Sequence, residues 1–356
     1  MIIDALKIIL PATISFVVGI LCTPPLTDYL YRNEMWKKKA GKVDSLGNAT
    51  PIFNSLHKEK EVGTPRLGGI IIWLSVSITL LGIWILGQTA GGIFEKLDIL
   101  SRNQTWIPFA VLLLGAFVGI IDDVWEIKGV GNHHAGGLSS RTRLSIAVLV
   151  GALCGFWFYT KLDVSSVSFP IIGSIFVGWL LVPIYAFVTS AIYSSGVIDG
   201  LDGLAGGVFA VAFASYGVIA FFQHQINVAA FCTTIVGAIL AFLWFNIPPA
   251  RFYMSETGSM ALTLTLAVIA FMTDTVTDGH GLSVLPLVAL PLTLTIASVV
   301  IQKVSKKLRN GKKVFLIAPV HHHFEAIGWP AYKVTMRYWI VAVISGFLGI
   351  IIALIS

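Results

Sequence analysis

Long apolar runs separated by short polar segments are the feature that most constrains this chain of 356 residues. A membrane-spanning helix needs about 20 consecutive apolar residues, whereas a buried strand takes about 4–8. The runs here have the greater length, which excludes a soluble α/β domain built on buried parallel strands. Charged residues make up 12% of the chain, against about 25% in soluble domains. The sequence therefore predicts an all-α polytopic membrane protein.

We predict ten transmembrane helices in a single integral membrane domain over residues 1–356. The first apolar run has no small-residue cleavage site, so we expect a retained helix rather than a signal peptide. Pro286 and Pro291 lie inside the ninth run, so we expect that helix to be kinked or broken. The predicted spans are 5–27, 67–88, 106–122, 143–160, 170–195, 202–222, 227–246, 258–273, 281–302 and 335–355.

Basic residues are distributed unevenly between the two sides of these spans. Most of the 24 Lys and Arg residues lie in the loops after spans one, three, seven and nine, and the exceptions are Lys7, Lys96, Arg102 and Lys161. Cytoplasmic loops carry such an excess, so we expect both termini to be extracytoplasmic. The same distribution accounts for the net charge of +6, which predicts the lipid bilayer, and no nucleic acid, as a partner.

Carboxylates cluster at the predicted cytoplasmic helix ends, namely Asp122, Asp123, Asp199, Asp202 and Glu256. Ionisable groups at membrane depth are costly and are read as functional by default, and Mg²⁺ prefers a few carboxylates together with phosphate. Asp199 and Asp202 are three residues apart, so one helical turn would place them on one side. Asp122 and Asp123 diverge by about 100° on a helix. We expect one of that pair to face a metal or act as a base while the other braces a loop.

Two further loops contain candidate phosphate ligands. The segment Ala318-Pro-Val-His-His-His-Phe-Glu325, followed by Gly328-Trp-Pro330, has three consecutive histidines. These can contact phosphate or a transition metal, although the separated ligands of a zinc site are missing. The turn Gly63-Thr-Pro-Arg-Leu-Gly-Gly69 precedes span two. It either presents backbone N–H groups to phosphate or only sets the start of a helix.

Together these motifs resemble the polyprenyl-phosphate N-acetylhexosamine-1-phosphate transferase superfamily, and within it the phospho-N-acetylmuramoyl-pentapeptide transferase branch. The histidine segment is the most specific part of the resemblance, which covers nearly the whole chain. The supporting motifs are Asp122-Asp123, Gly137-Leu-Ser-Ser-Arg-Thr142, Asp199-Gly-Leu-Asp-Gly-Leu-Ala205, Phe245-Asn246 and Thr257-Gly-Ser-Met-Ala-Leu262.

The resemblance implies a Mg²⁺-dependent enzyme of the bacterial cytoplasmic membrane whose active site, formed by cytoplasmic loops, faces the cytoplasm. Its reaction joins UDP-MurNAc-pentapeptide to undecaprenyl phosphate, and it yields lipid I and UMP in peptidoglycan synthesis. A homodimer is also implied. The alternatives are transfer of another UDP-N-acetylhexosamine phosphate to a polyprenyl phosphate, or a non-catalytic membrane scaffold.

The resemblance also implies roles for individual residues. Asp122 would keep the lipid phosphate ionised or act as the nucleophile, and Glu256 would bind Mg²⁺ together with Asp122. Tyr253 would stack on uracil. The other implied catalytic residues are Asp123, Asp202 and His321, and the other implied substrate-binding residues are Lys60, Thr64, Arg143, Asp199, Asn246, His322 and His323.

Four positions depart from the family pattern. Glu256 replaces an Asp and reaches one methylene further, while Gly196 replaces an Asn. Arg143 replaces a Lys, which keeps the charge but changes its geometry. Glu61 replaces another Lys, for which the adjacent Lys60 is a substitute. We therefore expect a shifted metal and nucleotide geometry, or a divergent substrate.

Overall fold

The computed structural model describes residues 2–38, 62–100, 103–130, 136–274 and 279–355. Within those ranges it contains thirteen α-helices and one two-stranded antiparallel hairpin. The helices are α1 (Ile2–Arg32), α2 (Ile70–Ala90), α3 (Ile93–Leu97), α4 (Asn103–Lys128), α5 (Ser140–Lys161), α6 (Leu181–Ser195), α7 (Leu204–Phe222), α8 (Ile226–Asn246), α9 (Ser255–Met272), α10 (Gly281–Val288), α11 (Leu290–Leu308), α12 (Val320–Ala326) and α13 (Ala331–Leu354). The strands are β1 (Ser166–Phe169) and β2 (Gly173–Phe176).

The long helices account for all the predicted spans. In the described ranges nine helical segments are long and apolar enough to cross a membrane. The helices α10 and α11, which are bent by 73° relative to each other, make a tenth if they count as one span. This bent pair corresponds to the ninth predicted span. This confirms a multi-pass membrane protein and the break in the ninth span. Pro286 lies within α10 and Pro291 lies in the first turn of α11. Proline removes a backbone donor and clashes with the preceding turn, which explains the bend.

The fifth predicted span is wrong at its start, and the fold is not purely helical. Residues 173–176 form β2, whose partner β1 ends at Phe169, and the helix α6 begins only at Leu181. Ile171 and Gly173 adopt positive φ angles of 69° and 87°, which turns the chain back after Pro170. The apolar content of residues 170–195 correctly predicted a span. Hydropathy does not, however, distinguish a strand rich in β-branched residues from the end of a helix.

The buried helix α9 positions the chemistry. Every residue of α9 is buried except Glu256. It packs closely along α4, where a Cβ on Gly119 would lie 2.5 Å from the Glu256 carbonyl oxygen and a Cβ on Gly115 would lie 2.8 Å from Ala261 Cα. Small residues at both positions let the two backbones approach. The end of α4 that carries Asp122 and Asp123 is thereby fixed against the start of α9.

Candidate active site

A cavity of about 610 Å³ lies between the starts of α5 and α9, the end of α6 and the side of α11. As the candidate active site it is called the catalytic cavity. One wall is apolar and contains Ile296, Val299 and Ile317. The charged and histidine residues that line the rest are Arg66, Arg143, Asp199, Glu256, Lys303 and His322. The cavity therefore offers several cations and two carboxylates to an anionic ligand.

Arg143 joins two of the predicted acids. Its NH1 atom lies 3.0 Å from Asp122 Oδ2 and 3.2 Å from Glu256 Oε2. The other oxygen of Asp122 accepts the backbone N–H of Leu138 at 2.6 Å. A Cβ on Gly137 would lie 2.9 Å from that oxygen, so the glycine leaves room for the carboxylate. Asp122 and Glu256 thus converge on one cation.

Tyr193 is a functional candidate that sequence reasoning missed. Its hydroxyl donates to Glu256 Oε1 at 2.7 Å, so both oxygens of Glu256 are held, one by Tyr193 and one by Arg143. Tyr193 lies in the last turn of α6, and Gly196 follows directly after that helix. A Cβ on Gly196 would only touch Ser259 and Thr263 at 3.6–3.7 Å. No motif marks Tyr193, because its contact depends on the packing of α6 against α9.

Asp123 braces the start of α9. Its carboxylate is fully buried and accepts the backbone N–H groups of Glu256 at 3.3 Å and Thr257 at 2.9 Å, with the Thr257 hydroxyl at 2.6 Å. A carboxylate in this position satisfies unpaired helix N–H groups and is favoured by the helix dipole. The adjacent aspartates therefore have different surroundings. Asp123 accepts two N–H groups of α9 and lies 3.7 Å from Arg66 Nε, whereas Asp122 pairs with Arg143 and accepts the Leu138 N–H.

Glu126 extends the acidic group on α4. One ligand atom each from Asp122, Asp123 and Glu126 lies within 4.8 Å of the others. Glu126 Oε1, however, lies 2.8 Å from both Lys37 Nζ and Arg66 NH1. Burial acts to lower the pKa of Arg66, but Glu126 and Asp123 outweigh it and hold that pKa above its ordinary value. The spacing of Glu126 from Asp122 and Asp123 was a sequence signal that could have found it.

The prediction that Asp199 and Asp202 share one helical side is wrong. Residues 199–203 form turns, and α7 begins only at Leu204. Asp199 lines the catalytic cavity and accepts the Ser255 N–H at 2.9 Å. Asp202 instead accepts the Ala250 N–H at 3.2 Å. The glycines of this segment permit the turns, as the φ of +75° at Gly203 shows.

The three histidines have three different environments. His322 lines the catalytic cavity, and its Nδ1 lies 2.8 Å from Glu325 Oε2. His321 is buried against it, with ring centroids 4.3 Å apart. His323 Nδ1 accepts the Leu316 N–H at 3.3 Å. A Cβ on Gly200 would lie 2.8 Å from the Nε2 atoms of both His321 and His322, so the imidazoles sit directly over the Asp199–Gly200 turn.

The remaining predicted site residues belong to the loops around the cavity. Asn246 is buried and braces two of them, since its Oδ1 accepts the Gly203 N–H at 3.0 Å and its Nδ2 donates to Phe252 O at 2.8 Å. The backbone of Tyr253 pairs with Pro65 O and Gly68 N, which joins it to the turn before α2 that contains Thr64. Lys60 lies outside the described residues.

An apolar groove of about 430 Å³ adjoins the catalytic cavity. Its walls come from the hairpin, α6, α10 and α11. Ile296 lines both spaces, and the consecutive residues Ser194 and Ser195 line the cavity and the groove respectively. A ligand with a charged head and an apolar chain could therefore occupy both.

The carboxylates that converge on Arg143 suit a hard divalent cation. Asp122 and Glu256 supply oxygen donors of the kind that Mg²⁺ prefers. Both oxygens already lie within 3.2 Å of a single positively charged nitrogen. The alternative group, with Asp123 and Glu126, is compact enough for an ion, but those two carboxylates are bound by Arg66, Lys37 and Thr257.

Comparison with known proteins decides the family. A family model described as glycosyl transferase family 4 matches residues 105–274. The phospho-N-acetylmuramoyl-pentapeptide-transferase of Levilactobacillus brevis is 34% identical over 82% of this chain and 85% of its own length. The enzyme of that name from Geobacillus thermodenitrificans is 31% identical over 97% of each chain, and that from Anoxybacillus flavithermus is 32% identical over 97% of each.

The chain belongs to the phospho-N-acetylmuramoyl-pentapeptide-transferase family. This confirms the resemblance predicted from its motifs, and it makes the protein a membrane-embedded transferase. The segment matched by the family model contains Asp122, Arg143, Tyr193, Asp199 and Glu256. The family model therefore covers one part of the cavity wall, while Arg66, Lys303 and His322 lie outside the matched residues.

Proposed function

We propose that this protein transfers phospho-MurNAc-pentapeptide from UDP-MurNAc-pentapeptide to undecaprenyl phosphate, giving lipid I and UMP in peptidoglycan synthesis. The observation that carries the proposal is the junction of a cation-lined cavity with an apolar groove at Ile296. One substrate is a nucleotide diphosphate and the other is a phosphate on a long apolar chain. The cavity therefore suits the nucleotide diphosphate, and the groove suits the apolar chain.

The reaction exchanges one pyrophosphate bond for another. An oxygen of the carrier phosphate forms a bond to the sugar-linked phosphorus of the donor, and the bond from that phosphorus to the bridging oxygen breaks, so UMP leaves with the electron pair. The main obstacle is repulsion between anions. Arg66, Arg143 and Lys303 line the cavity and would offset that repulsion.

We propose that Asp122 and Glu256 would hold a Mg²⁺ ion. When bound, the ion would neutralise charge on the phosphate oxygens and on the departing UMP. Tyr193 would orient Glu256 through the 2.7 Å hydrogen bond. Loss of one such hydrogen bond, worth about 1 kcal/mol, would lower the metal affinity about fivefold. Asp199 and His322, on the cavity wall, would contact the nucleotide and a phosphate.

Asp122 is proposed to act on a proton rather than as the attacking atom. Incubation with donor alone separates the two schemes. We expect no UMP release without a carrier, and a burst of one UMP per protein would contradict this role.

We further propose that the cavity faces the cytoplasm of a bacterial cell, because the basic residues gather at that end of the helices. A cysteine placed at the exposed Lys313 should react with an impermeant maleimide in inverted vesicles and not in right-side-out vesicles. The reverse pattern would contradict the orientation. The homodimer stays a prediction, which light scattering of the detergent-solubilised protein would test.

A second candidate function is transfer of a different UDP-N-acetylhexosamine phosphate. The observation that favours it is the joint presence of Tyr193, Gly196 and Glu256 in one corner of the cavity, where the family pattern has other residues at Gly196 and Glu256. The donor site could therefore accept a different sugar.

A transfer assay separates the candidates. Purified protein in detergent receives undecaprenyl phosphate, Mg²⁺ and either UDP-MurNAc-pentapeptide or UDP-GlcNAc. We expect UMP with the first donor and its loss when EDTA removes the metal. Release with UDP-GlcNAc alone would support the second function. Release with neither donor would support a non-catalytic scaffold.

A further inference from the structure

A single carboxylate ties the hairpin to the broken span at the opposite end of α9. Asp274 follows α9 by two residues and is fully buried. Its Oδ2 accepts the N–H of Ser168 in β1 at 3.2 Å, and its Oδ1 accepts the N–H of Leu282 in α10 at 3.1 Å. Two elements distant in sequence are thus joined through one side chain. We call this pair of hydrogen bonds the Asp274 tether.

The surroundings of Asp274 hold the tether in place. The Gly281 N–H donates to Thr273 O at 3.0 Å, and the Tyr216 hydroxyl donates to Gly281 O at 2.8 Å. Gln223 Nε2 also donates to Thr273 O, at 2.9 Å. Burial raises the pKa of Asp274 to about 7, although its two backbone hydrogen bonds act to lower it. Burying a carboxylate that has no cation among its described partners costs free energy. We therefore expect the link that Asp274 makes between β1 and α10 to have a function.

Both tethered elements are walls of the apolar groove. Val167 and Phe169 of β1 and Leu282 and Leu285 of α10 line it. These walls lie at the far end, because α6 follows the hairpin in the chain and lines the groove from Ile184 to Ser195, which is beside the catalytic cavity. That stretch of α6 is about 17 Å long at 1.5 Å per residue. A carrier chain reaches the tethered walls only if it is at least that long.

We propose that Asp274 is a positioning residue that fixes the far wall of the groove and so makes the protein favour long polyprenyl chains. The inference rests on the proposed function. A geranyl chain has eight main-chain carbons and extends at most about 12 Å at about 1.5 Å per bond, so it ends before the hairpin. An undecaprenyl chain extends past it and gains contact with the apolar walls.

Carrier length is the variable that tests this. Asp274→Ala and wild-type protein are assayed for UMP release with geranyl phosphate and with undecaprenyl phosphate. We expect the variant to raise KM for undecaprenyl phosphate about fivefold, or about 1 kcal/mol of binding. KM for geranyl phosphate and both kcat values should stay within about twofold. General loss of structure would instead lower activity with both carriers equally.

Asp98→Ala is the matched control. Asp98 is also a buried carboxylate, and it accepts the Leu100 N–H at 2.8 Å, but it is not among the residues that line the groove. Its variant should leave the preference for the long carrier unchanged. If Asp274→Ala does not fold, Phe169→Ala removes part of the same wall and should raise KM selectively for undecaprenyl phosphate. An equal effect on both carriers, or none on either, would overturn the proposal.

Hydrogen exchange separates this inference from the proposed function. If wild-type protein releases no UMP with either carrier, the transferase assignment fails. The tether is then judged by amide exchange alone, which should quicken in β1 and at the start of α10 when Asp274 is replaced by Asn or Ala. Exchange that is unchanged in both segments would overturn the tether whatever the activity.

Discussion

The two ends of α9 hold buried carboxylates in opposite electrostatic surroundings. At the first end Asp123 caps the helix while Asp122 and Glu256 share Arg143. At the second end Asp274 accepts only backbone N–H groups among its described hydrogen bonds. Both ends fix their neighbours through hydrogen bonds to backbone. Only the first end opens to a cavity with cations on its walls.

This difference separates residues that take part in the reaction from residues that hold segments of the fold together. A carboxylate paired with an arginine at a cavity can exchange that partner for a metal or a phosphate. A carboxylate enclosed by backbone donors can only hold or release the segments that it joins. Changes at the first end should therefore alter turnover with little effect on stability, and changes at the second end should alter stability and carrier preference.

Asp122→Asn gives the largest expected effect. Loss of the charged carboxylate should lower kcat about 10³-fold, the typical contribution of a general base, while the melting temperature changes little. UMP release and thermal unfolding of the same preparation measure both. Asp163→Asn, at an exposed carboxylate, serves as the control. Wild-type rates in Asp122→Asn would remove the residue from the mechanism.

Glu256→Asp tests where the metal binds. The shorter side chain draws the carboxylate away from Tyr193 and Arg143, so the half-saturating Mg²⁺ concentration should rise about tenfold. Glu126→Asp is the paired variant, because Glu126 belongs to the other compact acidic group. A shift with Glu126→Asp and none with Glu256→Asp would move the metal to the group formed with Asp123.

Tyr193→Phe should have a smaller effect of the same kind. Removing the hydroxyl leaves Glu256 without its 2.7 Å hydrogen bond, which is worth about 1 kcal/mol, or about fivefold in the half-saturating Mg²⁺ concentration. Tyr159→Phe, at an exposed tyrosine, should leave that concentration unchanged. Equal values for the two variants would show that Tyr193 does not orient Glu256.

At the second end we expect a dependence of stability on pH. The pKa of Asp274 is raised from 3.8 to about 7 by burial, so between these values the folded protein binds the extra proton. Its stabilising contribution is complete below pH 3.8 and is lost as the pH rises through about 7, with a slope of up to about 1.4 kcal/mol per pH unit. The melting temperature should fall from pH 5 to pH 7, and less so in Asp274→Asn.

His280 opposes this trend and needs its own control. Burial lowers the pKa of His280 from 6.5, so its contribution is lost as the pH falls. His280→Gln should therefore steepen the fall in melting temperature between pH 5 and pH 7. The same slope in wild type and Asp274→Asn would contradict the account of Asp274. Tyr216 also faces Asp274 but stays protonated over this range.

Apolar run length predicted the spans well, because each helix must cross the same thickness of lipid. The break in the ninth span was predicted from Pro286 and Pro291 rather than from run length. Run length did not predict the hairpin, since β-branched residues such as Val167 and Ile175 suit either a strand or a helix end by hydropathy. The single domain over residues 1–356 stays a prediction.

The sequence predicted which residues form the candidate site better than it predicted how those residues are arranged. Motifs supplied Asp122, Glu256 and the histidines, and the structure brings Arg143 between the two acids. Tyr193 was missed because its contact arises from the packing of two helices. Asp199 and Asp202 were assigned to one helical turn, although the intervening glycine-rich turn directs them to different backbone donors, Ser255 and Ala250.

The most direct test of the account is a mass spectrum of the lipid fraction after reaction. Wild-type protein, undecaprenyl phosphate, UDP-MurNAc-pentapeptide and Mg²⁺ are incubated together, with Asp122→Asn and Asp274→Asn in parallel. We expect lipid I from wild type and from Asp274→Asn, and only unreacted undecaprenyl phosphate from Asp122→Asn. Lipid I at the wild-type level from Asp122→Asn, or none from wild type, would contradict the assignment of the chemistry to the first end of α9.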